Sequence, residues 1–291
     1  MIVDELRAEL EHGGLRGSFL VRDLDTGREV GINPELAFPS ASLVKVPLAV
    51  ATLDRIRLGE LDGETQVEVA PGRITTPGPT GLARFRHPAR IAIDDLLYLT
   101  LAISDETAAD TLFGLTPPAD VTKALRGWGI DGITVRHPAG DLSDTPAERL
   151  DTHLAHALAI TASTAGRGHP VRQLDVTRAS SGSARAYVDL LQALWTPSTI
   201  DSQVAARVRE LMATNLIRQR LAPEFSSDAS KWSSKTGTVL NHRHEVGVVE
   251  HADGQRFAVA ALTESRVPAA VQPEAEILMA RVARALRDHL R

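Results

Sequence analysis

The sequence carries a strand–turn–strand pattern near each of its two ends, and this pair most constrains how the chain can fold. The first, GSFLVRDLDTGREVGIN (17–33), surrounds a turn supplied by Asp25 and Gly27. The second, HEVGVVEHADGQRFAVAALTES (244–265), has the same form around ADGQ, and a terminal helix pattern follows at 274–290. We therefore expect one antiparallel sheet built from both ends of the chain, an α+β arrangement.

The chain between these ends is mostly helical in pattern. SLVKVPLAVATLDRIRLGEL predicts a helix that begins near Ser42 and stops at Gly59, and residues 92–115 contain two helical runs that meet around Ser104. This pattern predicts a sheet-plus-helix domain from residues 1–39 and 198–291, and a helical domain over 40–197. We expect the active site at the junction of the two.

Composition excludes several classes of protein. Among 291 residues there is no cysteine, which excludes a thiol nucleophile, a disulfide framework and Cys-ligated zinc. A net charge of −5 argues against a nucleic-acid or membrane-surface partner. The opening MIVDELRAELEHGG lacks the basic and apolar regions of a signal peptide, so we expect a cytoplasmic protein as written, or a secreted one if a leader has been removed.

Lysine use singles out one position. Only four of the 32 basic residues are lysines, and Lys45 follows Ser42 by three positions in the single S-x-x-K of the chain. Residues three apart on a helix face the same side, so Lys45 can reach the Ser42 hydroxyl. A serine hydroxyl needs a base to become a nucleophile, and lysine can serve where arginine, which stays protonated, cannot. A helix cap at Ser42 with a solvated Lys45 is the alternative reading.

Two further motifs follow in a fixed order. ISDETAAD contains Ser104 and Asp105 at a helix junction, and SSKTGT contains Lys235 just before the C-terminal strands. The ordered set S-x-x-K, S-D-x, K-T-G resembles the penicillin-recognising serine hydrolases, namely class A β-lactamases and penicillin-binding proteins. The resemblance covers nearly the whole chain and implies their fold: a five-stranded antiparallel sheet flanked by helices, plus an all-helical subdomain.

The resemblance implies an acylation machinery. Ser42 would attack the carbonyl and become acylated, and Lys45 would accept its proton. Ser104 would relay a proton to the leaving nitrogen with help from Lys235. The backbone N–H groups of Ser42 and Thr238 would form the oxyanion hole.

The resemblance also implies a substrate-binding set of Asp105, Glu106, Thr236, Gly237 and Arg243. Thr236 would hydrogen-bond the substrate carboxylate and Arg243 would clamp it, unless Arg243 is only a solvated strand residue. Glu106 stands where the family has an asparagine that donates to the substrate. An ionised carboxylate only accepts hydrogen bonds, so Glu106 would suit an amine-bearing side chain, or would instead pair with Lys45.

The deacylation machinery departs from the class A pattern. Gly140 stands where the family holds the glutamate that activates water, with Asp141 one residue later and Glu148 further along. Either carboxylate could substitute if its loop folds inward. Losing a general base costs a factor of roughly 100 to 10,000 in the step it serves. We therefore expect ready acylation and slow hydrolysis.

Three functions remain open at this stage. The leading one is a serine hydrolase that forms an acyl-enzyme on Ser42 and hydrolyses β-lactams, with slow turnover if no base replaces the missing glutamate. A D-Ala-D-Ala peptidase or esterase would use the same chemistry, and a penicillin-binding receptor would be acylated without turnover. We expect a monomer, a small-molecule substrate (β-lactam, peptide or ester) and no cofactor. The H-x-x-H of His153 and His156 lacks a zincin's glutamate, so we expect no metal site.

Overall fold

The computed structural model describes residues 2–69, 80–138, 150–162, 168–268 and 271–291. Its largest sheet has five antiparallel strands in the order β2-β1-β10-β9-β8, so strands from the two ends of the chain lie side by side. This confirms the predicted fold class. The five strands are β1 (Leu15–Asp23), β2 (Glu29–Ile32), β8 (Ser230–Val239), β9 (His242–His251) and β10 (Arg256–Ser265).

Five more strands of the described ranges, all short, lie outside this sheet. β3 and β6 pair with β7 in a three-stranded sheet, and β4 pairs with β5. Their bounds are β3 (Ala37–Pro39), β4 (Gln66–Val69), β5 (Ala89–Ala92), β6 (Ile133–Thr134) and β7 (Ser181–Ser183).

Ten α-helices lie within the described ranges, and none of them has the length and apolar character needed to span a bilayer. They are α1 (Ile2–His12), α2 (Lys45–Arg57), α3 (Ile93–Ala102), α4 (Glu106–Leu115), α5 (Pro118–Gly127), α6 (Thr152–Ala159), α7 (Ala184–Trp195), α8 (Ser202–Ala213), α9 (Ala222–Phe225) and α10 (Pro273–Leu290).

Both faces of the large sheet are covered. On β10, Phe257 and Val259 belong to the apolar cluster under α1 and α10, whereas Ala258 and Ala260 belong to the cluster shared with α7 and the other helices. Successive side chains of a strand point to opposite faces, so this alternation assigns one set to each core. Because helices cover both faces, β10 is a nearly continuous apolar run.

The helical region packs around α2. Residues 45–53 of this helix are all buried, and α2 contacts α3, α4, α5 and α8. The helix ends at Arg57, two residues before the predicted stop at Gly59, which has φ 75°, a left-handed conformation that glycine adopts without strain. The domain boundaries given above stay a prediction.

Candidate active site

Ser42 and Lys45 are in contact. Ser42 lies in a 3₁₀ turn, Ala41–Val44, that runs directly into α2 at Lys45, so the helix itself begins three residues later than the pattern indicated. Lys45 Nζ lies 3.1 Å from Ser42 Oγ. The lysine is 2% exposed whereas Ser42 is only partly buried. A buried amine thus adjoins the hydroxyl of a partly exposed serine.

Ser104 lies between two lysines. It occupies the turn between α3 and α4 with φ 55°, a left-handed conformation that is uncommon outside glycine and is often found at functional sites. Lys45 Nζ donates to the Ser104 carbonyl at 2.7 Å and lies 3.1 Å from its Oγ. Lys235 Nζ donates to the same Oγ at 2.9 Å. The structure therefore brings all three sequence motifs together around one hydroxyl.

Burial weakens the basicity of both lysines. It lowers the pKa of Lys45, and the nearby negative charge of Glu106 is the largest effect opposing it. Burial also lowers the pKa of Lys235 well below its usual range, and the positive charges of Lys45 and Arg220 act in the same direction. A desolvated lysine releases its proton more readily and can then act as a base. An arginine in the same place would stay charged.

The edge strand β8 passes close to the nucleophile turn. A Cβ on Gly237 would lie 2.9 Å from the Ser40 carbonyl oxygen and 3.1 Å from Leu43 Cγ, so only glycine allows this approach. Thr238 follows it at an exposed position, while the pairing of its N–H with that of Ser42 as an oxyanion hole stays a prediction.

The K-T-G segment lies within β8, not just before the C-terminal strands as the pattern predicted. The strand reads SKWSSKTGTV and has few apolar residues to mark it. An edge strand pairs along one side only, and backbone hydrogen bonds rather than an apolar pattern hold it in the sheet.

Thr236 on β8 and Arg243 on the neighbouring β9 are both hydrogen-bonded within the protein. Thr236 is 3% exposed and its hydroxyl donates to the Ile217 carbonyl at 2.9 Å. Arg243 is 7% exposed and donates to the carbonyls of Leu240 and His242 at 2.6 and 2.7 Å. The alternative of a solvated strand arginine is therefore wrong. The predicted contacts of both residues with a substrate carboxylate stay predictions.

Asp105 and Glu106 differ in role. Asp105 is 1% exposed and accepts hydrogen bonds from the backbone N–H of Ala108 at 3.0 Å and of Leu82 at 2.7 Å. It caps α4, which is a structural role, and its place in the predicted substrate-binding set stays a prediction. Glu106 begins α4 and is partly buried. Its negative charge opposes the lowering of the pKa of Lys45 and of Lys235. This favours the pairing alternative for Glu106.

Sequence reasoning missed Arg220. It is 3% exposed and donates to the Gly237 carbonyl at 2.8 Å and to Thr238 Oγ1 at 2.6 Å. The arginine thereby places a positive charge behind the strand that adjoins Ser42. It lies in the turn IRQRL that precedes α9, with no motif around it, so the sequence offered no signal.

Sequence reasoning also missed Glu245. This residue is fully buried and accepts from Trp232 Nε1, Ser234 Oγ and the Leu221 N–H, each at 2.8 Å. Burial raises the pKa of Glu245 to about 7. A signal was present, because a carboxylate within the apolar run HEVGVV must find partners when the strand is buried.

Two candidates for activating water, Asp141 and Glu148, lie outside the described residues. Within the described ranges, no group of three or more His, Cys, Asp or Glu residues could hold a metal ion. His153 and His156 both lie on α6, the first exposed and the second buried.

Comparison with known proteins supports the same family. Residues 2–290 match the β-lactamase enzyme family. The chain is 65% identical over 304 residues to the β-lactamase regulatory protein BlaB of Streptomyces cacaoi, covering 100% of this chain and 97% of that one. It is 35% identical over 120 residues to β-lactamase L2 of Stenotrophomonas maltophilia, which covers 40% of this chain and 38% of that one.

Solved structures agree with this result at the level of the fold. A β-lactamase from Chitinophaga pinensis superposes with a TM-score of 0.81 at 17% identity, covering 100% of this chain and 99% of that one. The match over nearly all residues, together with the 65% identity to BlaB, establishes the family. The chain belongs to the β-lactamase enzyme family.

Proposed function

We propose that the protein is a β-lactam receptor that becomes acylated on Ser42 and releases the acyl group slowly. The observation that carries the proposal is the continuous contact from Ser42 Oγ through Lys45 Nζ and Ser104 Oγ to Lys235 Nζ, with separations of 3.1, 3.1 and 2.9 Å. Activation of a serine needs a base within hydrogen-bond reach, and protonation of a leaving nitrogen needs a proton donor close by; this arrangement supplies groups for both.

In the proposed acylation, neutral Lys45 removes the Ser42 proton. Two of its N–H bonds donate to Ser104, and the nitrogen lone pair is then available for the Ser42 hydroxyl. The Ser42 oxygen attacks the lactam carbonyl and forms an ester bond as the C–N bond breaks. Ser104 gives its proton to that nitrogen and is reprotonated from Lys45, which ends neutral. Backbone N–H groups of Ser42 and Thr238 stabilise the oxyanion.

Lys235, which contacts Ser104 beside the nucleophile, suits an anionic ligand. Lys235 and Arg220 lie along the strand that borders Ser42, and their like charges act on each other. A carboxylate bound beside Lys235 would stabilise its protonated form, because an opposite charge favours the charged state. β-Lactams carry such a carboxylate, and this supports them as the ligand class.

The proposed slow release of the acyl group depends on which carboxylates can activate water for hydrolysis of the Ser42 ester. At the position of the deacylating glutamate the chain has Gly140. Glu106 lies near Lys45 and Lys235, and its negative charge interacts electrostatically with both amines. If neither Asp141 nor Glu148, which lie outside the described residues, serves as the base, hydrolysis of the ester is slower by roughly 100- to 10,000-fold. The relative named a β-lactamase regulatory protein agrees with a receptor whose acylated state lasts long enough to act as a signal.

Efficient β-lactam hydrolysis is the second candidate. It is favoured by the 35% identity to β-lactamase L2 over 120 residues. A peptidase or an esterase would use the same acylation groups, and no additional observation favours either one.

Intact-mass spectrometry with benzylpenicillin distinguishes these functions, with Ser42→Ala as the control. The receptor predicts an adduct of one penicilloyl group that persists for many minutes and is absent from Ser42→Ala. Rapid loss of a chromogenic cephalosporin without a persisting adduct would identify a β-lactamase. Absence of both adduct and turnover, with ester cleavage that Ser42→Ala abolishes, would identify an esterase and overturn the proposal.

A further inference from the structure

His244 lies directly behind the nucleophile turn. It is fully buried on β9, where it pairs with Gly237 of β8, the residue on which a Cβ would lie 2.9 Å from the Ser40 carbonyl oxygen. Its ring edge meets Phe38 of β3 at a centroid distance of 5.9 Å. The imidazole therefore lies between the large sheet and the short strand that leads to Ser42.

Two hydrogen bonds define the state of this ring. His244 Nε2 lies 2.9 Å from the Pro39 carbonyl oxygen, which can only accept. The Thr263 N–H donates to Nδ1 at 3.2 Å, so Nδ1 carries no proton. His244 is thus neutral with its proton on Nε2. Burial and the neighbouring His242 and Arg220 hold the pKa of His244 well below its usual range, so this state persists at neutral pH.

The Pro39 carbonyl is one of three backbone groups just before Ser42 that are held by hydrogen bonds. The Ser40 N–H donates to the Ser180 carbonyl at 2.8 Å, and the Leu43 N–H donates to the Ser40 carbonyl at 3.0 Å. Between them Ala41 has φ 47°, a strained conformation for a residue with a Cβ. A strained turn keeps its shape only when its neighbours hold it, and the bond from His244 ties it to the sheet.

We propose that His244 is a positioning residue for acylation, whose Nε2–H holds the Pro39 carbonyl and thereby the turn that presents Ser42 Oγ to Lys45. The inference rests on the proposed acylation of Ser42. It assigns His244 no contact with the ligand and no proton transfer.

Two substitutions separate the two hydrogen bonds. His244→Gln places an amide N–H near the position of Nε2 and keeps the bond to Pro39. His244→Asn places its amide oxygen near Nδ1, keeps the bond from Thr263 and is too short to reach Pro39. The matched control is His242→Asn, because His242 is also fully buried and packs against Phe38 at 5.9 Å, but has no hydrogen bond to the turn.

Stopped-flow acylation by a chromogenic cephalosporin tests the proposal in the intact chain. For His244→Asn we expect the maximal acylation rate to fall about 10- to 100-fold, the usual cost of a misplaced reacting group, with little change in the half-saturating concentration. His244→Gln and His242→Asn should acylate like the wild type. Equal rates in all four proteins would overturn the inference, as would losses in His244→Gln and His244→Asn that follow their thermal midpoints.

Phenylboronic acid separates this inference from the function. Serine Oγ adds to its boron as the proton passes to Lys45, which gives a tetrahedral adduct without any lactam chemistry. If the wild type binds the boronic acid but no cephalosporin acylates it, the proposed function fails. The inference then stands if His244→Asn alone weakens boronate binding in calorimetry, and falls if the variants bind equally. A wild type that forms neither adduct overturns both.

Discussion

Replacing Lys45 by arginine tests whether this residue is a base or only a positive charge. Its Nζ lies 3.1 Å from Ser42 Oγ and 2.7 Å from the Ser104 carbonyl, and the side chain is 2% exposed. Arginine keeps the charge and can donate hydrogen bonds, but it stays protonated at any usable pH. Lys45→Arg should therefore lose acylation nearly as fully as Lys45→Met, which lacks the charge.

The expected loss follows from the step that Lys45 serves. Removing a general base lowers the rate of its step by roughly 100- to 10,000-fold. That factor corresponds to about 3 to 5 kcal/mol of activation free energy. A purely electrostatic role predicts a different order, in which Lys45→Arg keeps most of the rate and only Lys45→Met loses it.

Stability against pH provides a second readout for the same residue. Burial lowers the folded-state pKa of Lys45 from 10.5, so the folded protein releases this proton at a lower pH than the unfolded chain. Between the two pKa values the unfolded state binds more protons, and the free energy of unfolding rises with pH. Lys45→Met should lack this contribution, which urea unfolding at several alkaline pH values measures.

The assay is the pre-steady-state rate of acylation by a chromogenic cephalosporin, with each variant's folding checked by its thermal midpoint. Lys123→Arg is the matched control, because Lys123 is exposed on α5. A Lys45→Arg protein that is folded and acylates at close to the wild-type rate would refute the assignment of Lys45 as the base.

Three further predictions concern stability. Burial raises the pKa of Glu245 from 4.5 to about 7, so the free energy of unfolding should fall by about 3 kcal/mol as pH rises through that interval; in Glu245→Gln this slope should disappear in urea titrations. Asp105→Ala removes a helix cap and leaves the buried Leu82 N–H unpaired, which should cost about 2 to 4 kcal/mol by denaturant unfolding; a loss below 1 kcal/mol, roughly that of an exposed cap, would contradict this. Gly81→Ala should lower the thermal midpoint because Gly81 has φ 71° and its Cβ would strike Asp105, whereas Gly114→Ala on α4, with open space around it, should raise it.

Much of the fold could be predicted from local patterns. Asp25 and Gly27 mark one hairpin turn and the ADGQ segment marks the other, and each hairpin's strands pair with each other in the structure. That β1 pairs with β10 could be inferred only because both hairpins need partners. β8 was harder to recognise, because an edge strand with few apolar residues has little pattern.

The candidate site was predictable to the extent that it depends on chain spacing. Ser42 and Lys45 meet because three residues make about one helical turn. Ser104 and Lys235 could be assigned to the same site only because their motifs follow S-x-x-K in a fixed order. His244 and Arg220 carried no signal, because their bonds to Pro39 and Gly237 join residues 205 and 17 positions apart, beyond the reach of any local pattern.

The sequence by itself determined which side chains can act as nucleophile and base, since that depends on residue type and on spacing within one turn of helix. Only the tertiary structure decided what surrounds them: that both lysines are buried, that Asp105 faces inward as a cap, and that His244 lies behind the nucleophile turn. The reason is physical. Burial, and hence basicity, depends on packing between elements distant in the chain, and local sequence does not specify that packing.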